Sequence, residues 1–300
     1  MSLLSLIVTL LIEQFRPLDY ARWIATPLRA LADLCERNVN AGTYGQGVLG
    51  WSLIAGIGTL AAAIVFFLLD RANPLLALAW NVFILYLTMG FRQFSHHFTE
   101  IHLALRMGEI ERARALLAEW RGVPSEMWSS NEIARQSIEH ALAASHRHVF
   151  GVLFWFVVLP GPSGAVLYRC SALLSERWAD KVSDREPFGR FAVRAFQWID
   201  WLPQRVTATG FAIVGDFEDA VRCWRSRAGA WRGGSSDIVL AAGAGALGVR
   251  LTEPGDTDAA DCPGAEADVD CMQSAVGLVW RALVLWLLLL FMLGLASLAG

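Results

Sequence analysis

Long apolar stretches alternate with polar, arginine-bearing ones along this chain. From residue 38 to residue 91 the only charges are the adjacent Asp70 and Arg71. The flanking runs, 48–69 and 74–91, are rich in Leu, Ile, Val, Phe and Ala. Each approaches the roughly 20 apolar residues that span a bilayer core about 30 Å thick at 1.5 Å per residue. Asn73-Pro74 supplies a turn between them, so residues 48–91 are expected to form a transmembrane helical hairpin. Residues 282–300 carry no charge and include Leu285-Trp286-Leu287-Leu288-Leu289-Leu290, which predicts a terminal membrane helix. Residues 149–168 are apolar too, but Leu159-Pro160-Gly161-Pro162-Ser163-Gly164 interrupts them, and backbone groups freed within lipid need partners in protein or water.

The polar stretch 92–148 carries helical periodicity. Phe94, Phe98, Ile101 and Leu105 recur at steps of four, three and four, which builds one apolar stripe. Gly108 interrupts that helix; 109–120 restarts with acids first, as the helix dipole favours, and Gly122-Val123-Pro124 stops it. A third helix is expected from near Ser130, with capping chemistry in Ser129-Ser130-Asn131-Glu132. Arg135 and Glu139 lie four apart on it and can pair. Residues 169–250 are mixed and tryptophan-bearing, and 252–270 has acids and no base, the composition of a loosely ordered loop. Residues 1–12 are apolar but lack a basic leader and a small-residue cleavage site, so they are expected to pack on the bundle or lie near the interface.

Composition agrees with a membrane address. The chain has 55% hydrophobic and 18% charged residues and a mean hydropathy of +0.42, against about 25% charge in soluble domains. Orientation follows from positive charge near the spans. Arg16, Arg22, Arg29 and Arg37 precede the hairpin, a run of arginines from Arg92 to Arg147 follows it, and its tip has only Arg71. Both flanks are therefore expected in the cytoplasm and the tip outside a bacterial inner membrane. A single crossing by 149–168 would expose the bases of 169–250 outside. A re-entrant loop turning at Pro160–Pro162 removes that conflict, as would a second, weaker crossing near 206–214; the re-entrant loop is preferred.

The expected fold class is all-α: a polytopic integral membrane helical protein with a cytoplasmic helical layer. It is read as a single membrane domain over 1–300, with hairpin 48–91, cytoplasmic helices 92–148, re-entrant segment 149–168, cytoplasmic segment 169–275 and terminal membrane helix 282–300.

Other chemistry is sparse. The cysteines show no C-x-x-C and no zinc spacing; Cys262 and Cys271 share a segment placed in the cytoplasm, where a stable disulfide is not expected. His96, His97, His102, His140, His146 and His148 fall in two clusters near Glu100 and Glu139, residue types that suit zinc or iron. Neither cluster has a ligand pattern such as H-E-x-x-H, so no metal site is assigned. Gly243-Ala244-Gly245-Ala246-Leu247-Gly248 lacks the βαβ setting of a dinucleotide loop, and tight helix packing is expected there. Nothing in the chain interleaves bases with aromatics as nucleic-acid binding would need.

Four groups of phrases, in order along most of the chain, carry a resemblance. The first is Arg92 with His97, then Ala104-Leu105-Arg106-Met107-Gly108-Glu109-Ile110-Glu111-Arg112-Ala113-Arg114. The second is Ile133-Ala134-Arg135 with Glu139, leading to Leu153-Phe154-Trp155 and Gly164-Ala165-Val166-Leu167-Tyr168. The third is Phe188-Gly189-Arg190 with Trp201-Leu202-Pro203-Gln204-Arg205-Val206-Thr207-Ala208, and the last is Ala244-Gly245-Ala246-Leu247-Gly248-Val249-Arg250-Leu251. Together they resemble the CobD/CbiB (adenosylcobinamide-phosphate synthase) family of cobalamin biosynthesis.

That resemblance implies a ligase joining a phosphorylated amino alcohol to a corrinoid carboxylate, with ATP as the energy source and Mg2+ held on phosphates by carboxylates. It implies Arg92, His97, Arg135, Glu139, Arg205 and Arg250 as ligand-binding candidates, since guanidiniums clamp phosphate or carboxylate. The implied partners are membrane lipid and a corrinoid or phosphorylated small molecule. The chain departs from the family at its acids. Ala143, Ala144 and Arg147 stand where a Glu-Asn pair and an Asp are expected, Ala172 and Ser175 where an Asn and an Asp are, and Phe196 and Gln197 where a double Asp is. Those losses argue against intact catalysis and leave no catalytic residue assigned. The chain also resembles AmpE, a regulatory membrane protein of the same superfamily linked to β-lactamase induction, in Leu153-Phe154-Trp155 and Asp200-Trp201-Leu202-Pro203-Gln204-Arg205. This implies the alternative of a non-catalytic sensor with a membrane-protein partner.

Overall fold

The computed structural model describes residues 2–15, 21–40, 42–122, 127–182, 187–228, 237–251, 262 and 264–299, with side chains at all of these except 2, 21, 22, 91–94, 181, 227, 228 and 297–299. Among the described residues the chain is helical almost throughout. Its helices are α1 (Ser2–Phe15), α2 (Thr26–Val39), α3 (Tyr44–Ala72), α4 (Pro74–Thr88), α5 (Phe91–Arg106), α6 (Ile110–Arg121), α7 (Ser130–Val158), α8 (Ser163–Arg177), α9 (Arg190–Val214), α10 (Phe217–Ala228), α11 (Asp237–Leu247) and α12 (Val269–Ala299). A short parallel ladder pairs β1 (Val249–Arg250) with β2 (Ala265–Glu266). Three helices, α3, α7 and α12 as far as Ala296, are long and apolar enough to cross a membrane. The fold is that of a polytopic helical membrane protein.

The hairpin forms where the apolar pattern places it. Asn73 is extended, its Oδ1 accepts the Leu75 N–H at 2.8 Å, and Pro74 opens α4, where a missing N–H is harmless. The second arm is shorter than expected, because Met89 turns extended and α4 ends at Thr88 after 15 residues. The helix from Ser130 differs more. Its capping box closes as expected, with the Ser129 hydroxyl accepting from the Glu132 N–H and Glu132 accepting from the Ser129 N–H. It then runs without a break to Val158 through a π-turn at His146–Phe150, so 148/149 is no element boundary. A polar first half concealed its length from any search for apolar runs. Likewise α12 starts at Val269, well before the uncharged run, because Asp268 Oδ1 accepts the Cys271 N–H at 2.9 Å and caps it.

The chain divides into two compact units, residues 1–92 with 147–203 and residues 93–146 with 204–300. In the first, α1 packs on α4, and α8 packs on α3, α4 and the last turns of α7. Its core includes Ala32, Ile54, Ala55, Leu174, Trp178, Phe188 and Ala192, with the Trp178 and Phe188 rings 4.8 Å apart. In the second, α7 packs on α6, α11 and α12, and α10 packs along α11. Gly245 there makes the close helix contact expected of small residues, since a Cβ would strike the Asp219 carbonyl on α10.

Both units turn the usual burial order inside out. Helix α1 buries Ser5, Thr9 and Glu13, one turn apart each, and exposes Leu4, Ile7, Leu11 and Phe15. Helix α12 exposes Val284, Leu288, Leu289, Phe291, Met292, Leu293 and Leu295. Fully burying such a side chain is worth about 1.5–3 kcal/mol in water, so a water-facing surface of this kind is disfavoured and a lipid-facing one is not.

Gly164 marks the tightest helix approach in the first unit: a Cβ there would meet the backbone carbonyl of Trp155, which cannot move without breaking α7. Gly164→Val should destabilise the detergent-solubilised protein by about 1–3 kcal/mol or more. Gly56→Val, where nothing lies within reach, should shift the thermal midpoint far less; equal shifts would contradict the packing.

Candidate ligand-binding site

Several of the ligand-binding candidates named from the resemblance, together with neighbouring polar residues, lie on or beside α7 in the second unit. Arg135, Glu139 and His146 follow one another at steps of four and seven and so share a face of that helix. Arg135 Nη1 donates to the Leu251 carbonyl at 2.9 Å, which fixes it to the end of the strand that carries Arg250, itself exposed. Asn131 Nδ2 reaches Glu266 Oε1 at 3.4 Å, so the first turn of α7 also meets the second strand. Arg121 bonds Gln136 and lies 5.6 Å from the Trp128 ring centroid. His97 stacks on Trp120 at 6.1 Å, and Trp120 meets His140 edge-on at 4.4 Å, which brings α5, α6 and α7 together beside Glu139.

The remaining candidates stand as follows. Arg205, on α9, is half-buried, and that burial draws its guanidinium pKa below the ordinary arginine value. Arg92 lies on α5, but its side chain is outside the described residues. His146, fully buried, places Nδ1 2.9 Å from the Thr207 hydroxyl and ties α7 to α9 within the second unit. His102 Nε2 is buried and has no hydrogen-bond partner among the described residues. Burial first, then the Arg106 charge, lowers the His102 pKa, against a smaller opposite pull from Asp270.

A second polar cluster, in the first unit, was not legible from spacing. Tyr168 and Asp200, both fully buried, join through a 2.8 Å bond from the Tyr168 hydroxyl to Asp200 Oδ1. Gly151 makes room for it, because a Cβ there would overlap the Tyr168 ring. Arg147 Nη1 pairs with Glu176 Oε1 at 2.7 Å, and Arg169 reaches the Arg147 carbonyl at 3.4 Å. The π-turn that starts at His146 alters the helical bonding there, which is how that carbonyl meets a side chain. Nearby, Pro203 sits inside α9 and can donate no N–H to the carbonyl four residues back. That carbonyl belongs to Ile199, and Trp155 Nε1 donates to it at 3.0 Å. The phrases Leu153-Phe154-Trp155, Gly164–Tyr168 and Asp200–Pro203 thus lock onto one another. The available signal was one Tyr in α8 and one Asp in α9; their separation of 32 residues hid the pairing.

Two sequence expectations meet a finding here. Cys262 is bonded to Cys223 of α10, with Cα atoms 4.7 Å apart, and not left unpaired, while Cys271 is a free thiol on α12. Sequence spacing gave no hint, since 39 residues separate the bonded pair. The described side chains at the positions where the resemblance implies polar or acidic ligands do not fit a Mg2+–nucleotide centre. Ala144 is buried where the resemblance implies polarity, Arg147 brings a cation to the place of an acid, and Asp200 and Glu176 are engaged by Tyr168 and Arg147. Among the described residues no group of three or more His, Cys, Asp or Glu could hold a metal ion.

Comparison with known proteins agrees with the phrases. The CobD/Cbib protein family matches residues 4–296. The chain belongs to the CobD/CbiB family. It is 31% identical over 272 residues, 87% of each chain, to the cobalamin biosynthesis protein CobD of Stutzerimonas stutzeri. It is 36% identical over 178 residues, 59% of this chain and 57% of the relative, to the protein of that name from Chromobacterium violaceum. It is 28% identical over 247 residues to that of Yersinia enterocolitica, covering 78% of this chain and 76% of the relative. No solved structure matches the chain.

Tyr168→Phe removes one hydrogen-bond donor from the buried Asp200 carboxyl and should cost about 1–3 kcal/mol. In a cycle with Asp200→Asn, thermal midpoints in detergent should reveal a coupling of about 0.5–3 kcal/mol; additive losses would mean that the bond contributes nothing. For His102 the folded state disfavours the proton, so stability present at neutral pH should be lost as pH falls through the ordinary histidine range near about 6.5. His102→Gln should flatten that decline relative to the parent between about pH 7.5 and 5 in thermal melts.

Proposed function

We propose that this membrane protein acts in cobalamin biosynthesis by binding an anionic small molecule, a corrinoid carboxylate or a phosphorylated amino alcohol, at the arginine-bearing end of the second unit. The observation that carries this reading is the anchoring of Arg135 to the Leu251 carbonyl. It holds one family-shared guanidinium beside the strand bearing another, Arg250, so that two cations are presented from a braced backbone. Trp120, stacked on His97 and met edge-on by His140, adds an aromatic cluster on the same helix layer, a contact for the planar part of a ligand. The names borne by the relatives, cobalamin biosynthesis protein CobD, support the pathway.

The bond-forming step is, on this reading, lost. A guanidinium at Arg147 repels a divalent cation where the resemblance calls for a carboxylate, and Ala143, Ala144, Ala172, Ser175, Phe196 and Gln197 carry no carboxylate where the resemblance implies polar ligands. We place the protein in a bacterial inner membrane with the arginine-rich flanks of the hairpin on the cytoplasmic side, supported by the positive charge around α3 and α4.

Two measurements separate the parts of this reading. The chain should express without restoring cobalamin-dependent growth to a strain lacking adenosylcobinamide-phosphate synthase, and rescue would overturn the loss of catalysis. Adenosylcobinamide or aminopropanol phosphate should bind the purified protein by calorimetry, and Arg135→Ala should weaken that binding roughly tenfold or more, the worth of a charged hydrogen bond. Binding that ignores Arg135 and Arg250 would sink the proposed site.

A further inference from the structure

Helix α2 is polar in composition yet exposes an ordered apolar edge. It carries Arg29, Asp33, Glu36 and Arg37, and at 14 residues it is about 21 Å long, too short and too charged to cross a bilayer core about 30 Å thick. One face is committed to protein: Ala32 is fully buried, Ala25 just ahead of the helix is nearly so, and Leu28 and Cys35 pack on the first unit's core. The opposite face is not. Pro27, Leu31 and Leu34 follow one another at steps of four and three, the spacing of one helical stripe, Trp23 stands just ahead in the π-turn Ala21–Ala25, and all four are exposed. Trp23 is 66% exposed, Leu31 47% and Leu34 56%.

The charged residues lie to one side of this stripe and leave it clear. Asp33 is drawn to Arg177 of α8 by a 2.6 Å bond, and that guanidinium holds its carboxyl below the usual carboxylate range, while Arg29 and Arg37 are exposed. The stripe also leads along the chain into a helix whose own apolar side chains Leu49, Leu53, Ile57 and Leu60 are exposed. Only residues 40–43 separate α2 from α3, the first long apolar helix, whose opening residue Tyr44 is itself 41% exposed.

From this continuity we infer that α2 lies flat in the bilayer interface as a membrane-surface helix. Trp23, Pro27, Leu31 and Leu34 sink into the boundary between headgroups and acyl chains, and Arg29 and Arg37 remain at headgroup level. A short amphipathic helix gains its membrane affinity from this geometry, apolar edge down and charges level with the phosphates. Tryptophan is the side chain most at home at that depth. The helix then acts as a float that sets the depth at which α3 enters the bilayer, with the Asp33–Arg177 bond and the Ala32 contact fixing its roll about its own axis.

The test uses the full chain reconstituted in vesicles of phosphatidylcholine and phosphatidylglycerol. In the unaltered chain and in Trp23→Phe, tryptophan fluorescence is measured with lipids brominated high on the acyl chain, with lipids brominated near its end, and with aqueous iodide. The part of the emission lost in Trp23→Phe should be quenched by the high bromines, more weakly by the deep ones, and hardly by iodide. A second measurement places a nitroxide at Leu31→Cys, Leu34→Cys or Arg29→Cys, with Cys35, Cys170 and Cys271 changed to Ser and the Cys223–Cys262 pair kept. Oxygen should collide with the label more often than a nickel chelate at positions 31 and 34, and the order should reverse at 29. Iodide quenching of Trp23, or nickel access at 31 and 34, would mean that the stripe faces water and would overturn the inference. Shielding of 31 and 34 from both reagents would overturn it as well, and would point to a protein surface covering the stripe.

Discussion

Lipid supplies no hydrogen bonds, and most of this structure follows from that constraint. In water an unpaired carbonyl or hydroxyl can turn to solvent; in a bilayer it must find a protein partner. The helices answer by reversing the usual order, so that Ser5, Thr9 and Glu13 face inward while leucines and phenylalanines face out. The same demand explains the Trp155 indole on the Ile199 carbonyl. Pro203 removes the one N–H that would have taken that carbonyl, and in an apolar setting the defect has to be repaired from a neighbouring helix. Tyr168 and Asp200 are a second instance, a buried acid held by a donor that only a glycine on the facing helix, Gly151, leaves room for.

These repairs give the family phrases a physical meaning. Leu153-Phe154-Trp155, Gly164–Tyr168 and Asp200–Pro203 are far apart in the chain, yet in the first unit each supplies what another lacks: a donor for a carbonyl, a space for a ring, a hydroxyl for a carboxylate. They are therefore scaffold. The ligand site proposed above draws instead on the second unit, where Arg135, Arg250, His97 and His140 are held by a backbone carbonyl, a two-residue ladder and an aromatic stack. Family membership is therefore compatible with the proposed loss of catalysis, since these contacts make no use of the positions 143, 144, 172, 175, 196 and 197 where the resemblance implies polar ligands.

Legibility from sequence varied with the range of the interaction. The hairpin, its Asn73-Pro74 turn and the Ser129–Glu132 capping box are local, and composition plus spacing over a few residues was enough for them. The break at Leu159–Pro162 was equally plain. The length of α7 was not, because its polar first half reads as a separate soluble helix when hydropathy is averaged along the chain. The early start of α12 was hidden for the same reason, its cap lying in an acid-rich segment. Of the candidate site residues, Arg135 and Glu139 could be named from sequence, but the Leu251 carbonyl that holds Arg135 lies 116 residues away. The disulfide went the other way: the nearest cysteine in sequence, Cys271, is not the partner of Cys262.

By itself, then, the sequence determined the membrane address, the helical class, the turns and caps, and the family. Each depends on the chemistry of neighbouring residues or on the order of phrases, which a linear string records completely. Only the tertiary structure decided which polar groups satisfy one another, which cysteines join, and which face of α2 is left bare. Those outcomes depend on which helices pack side by side, and with helical faces repeating every few residues many pairings look alike until the glycines, the proline and the buried acid select one.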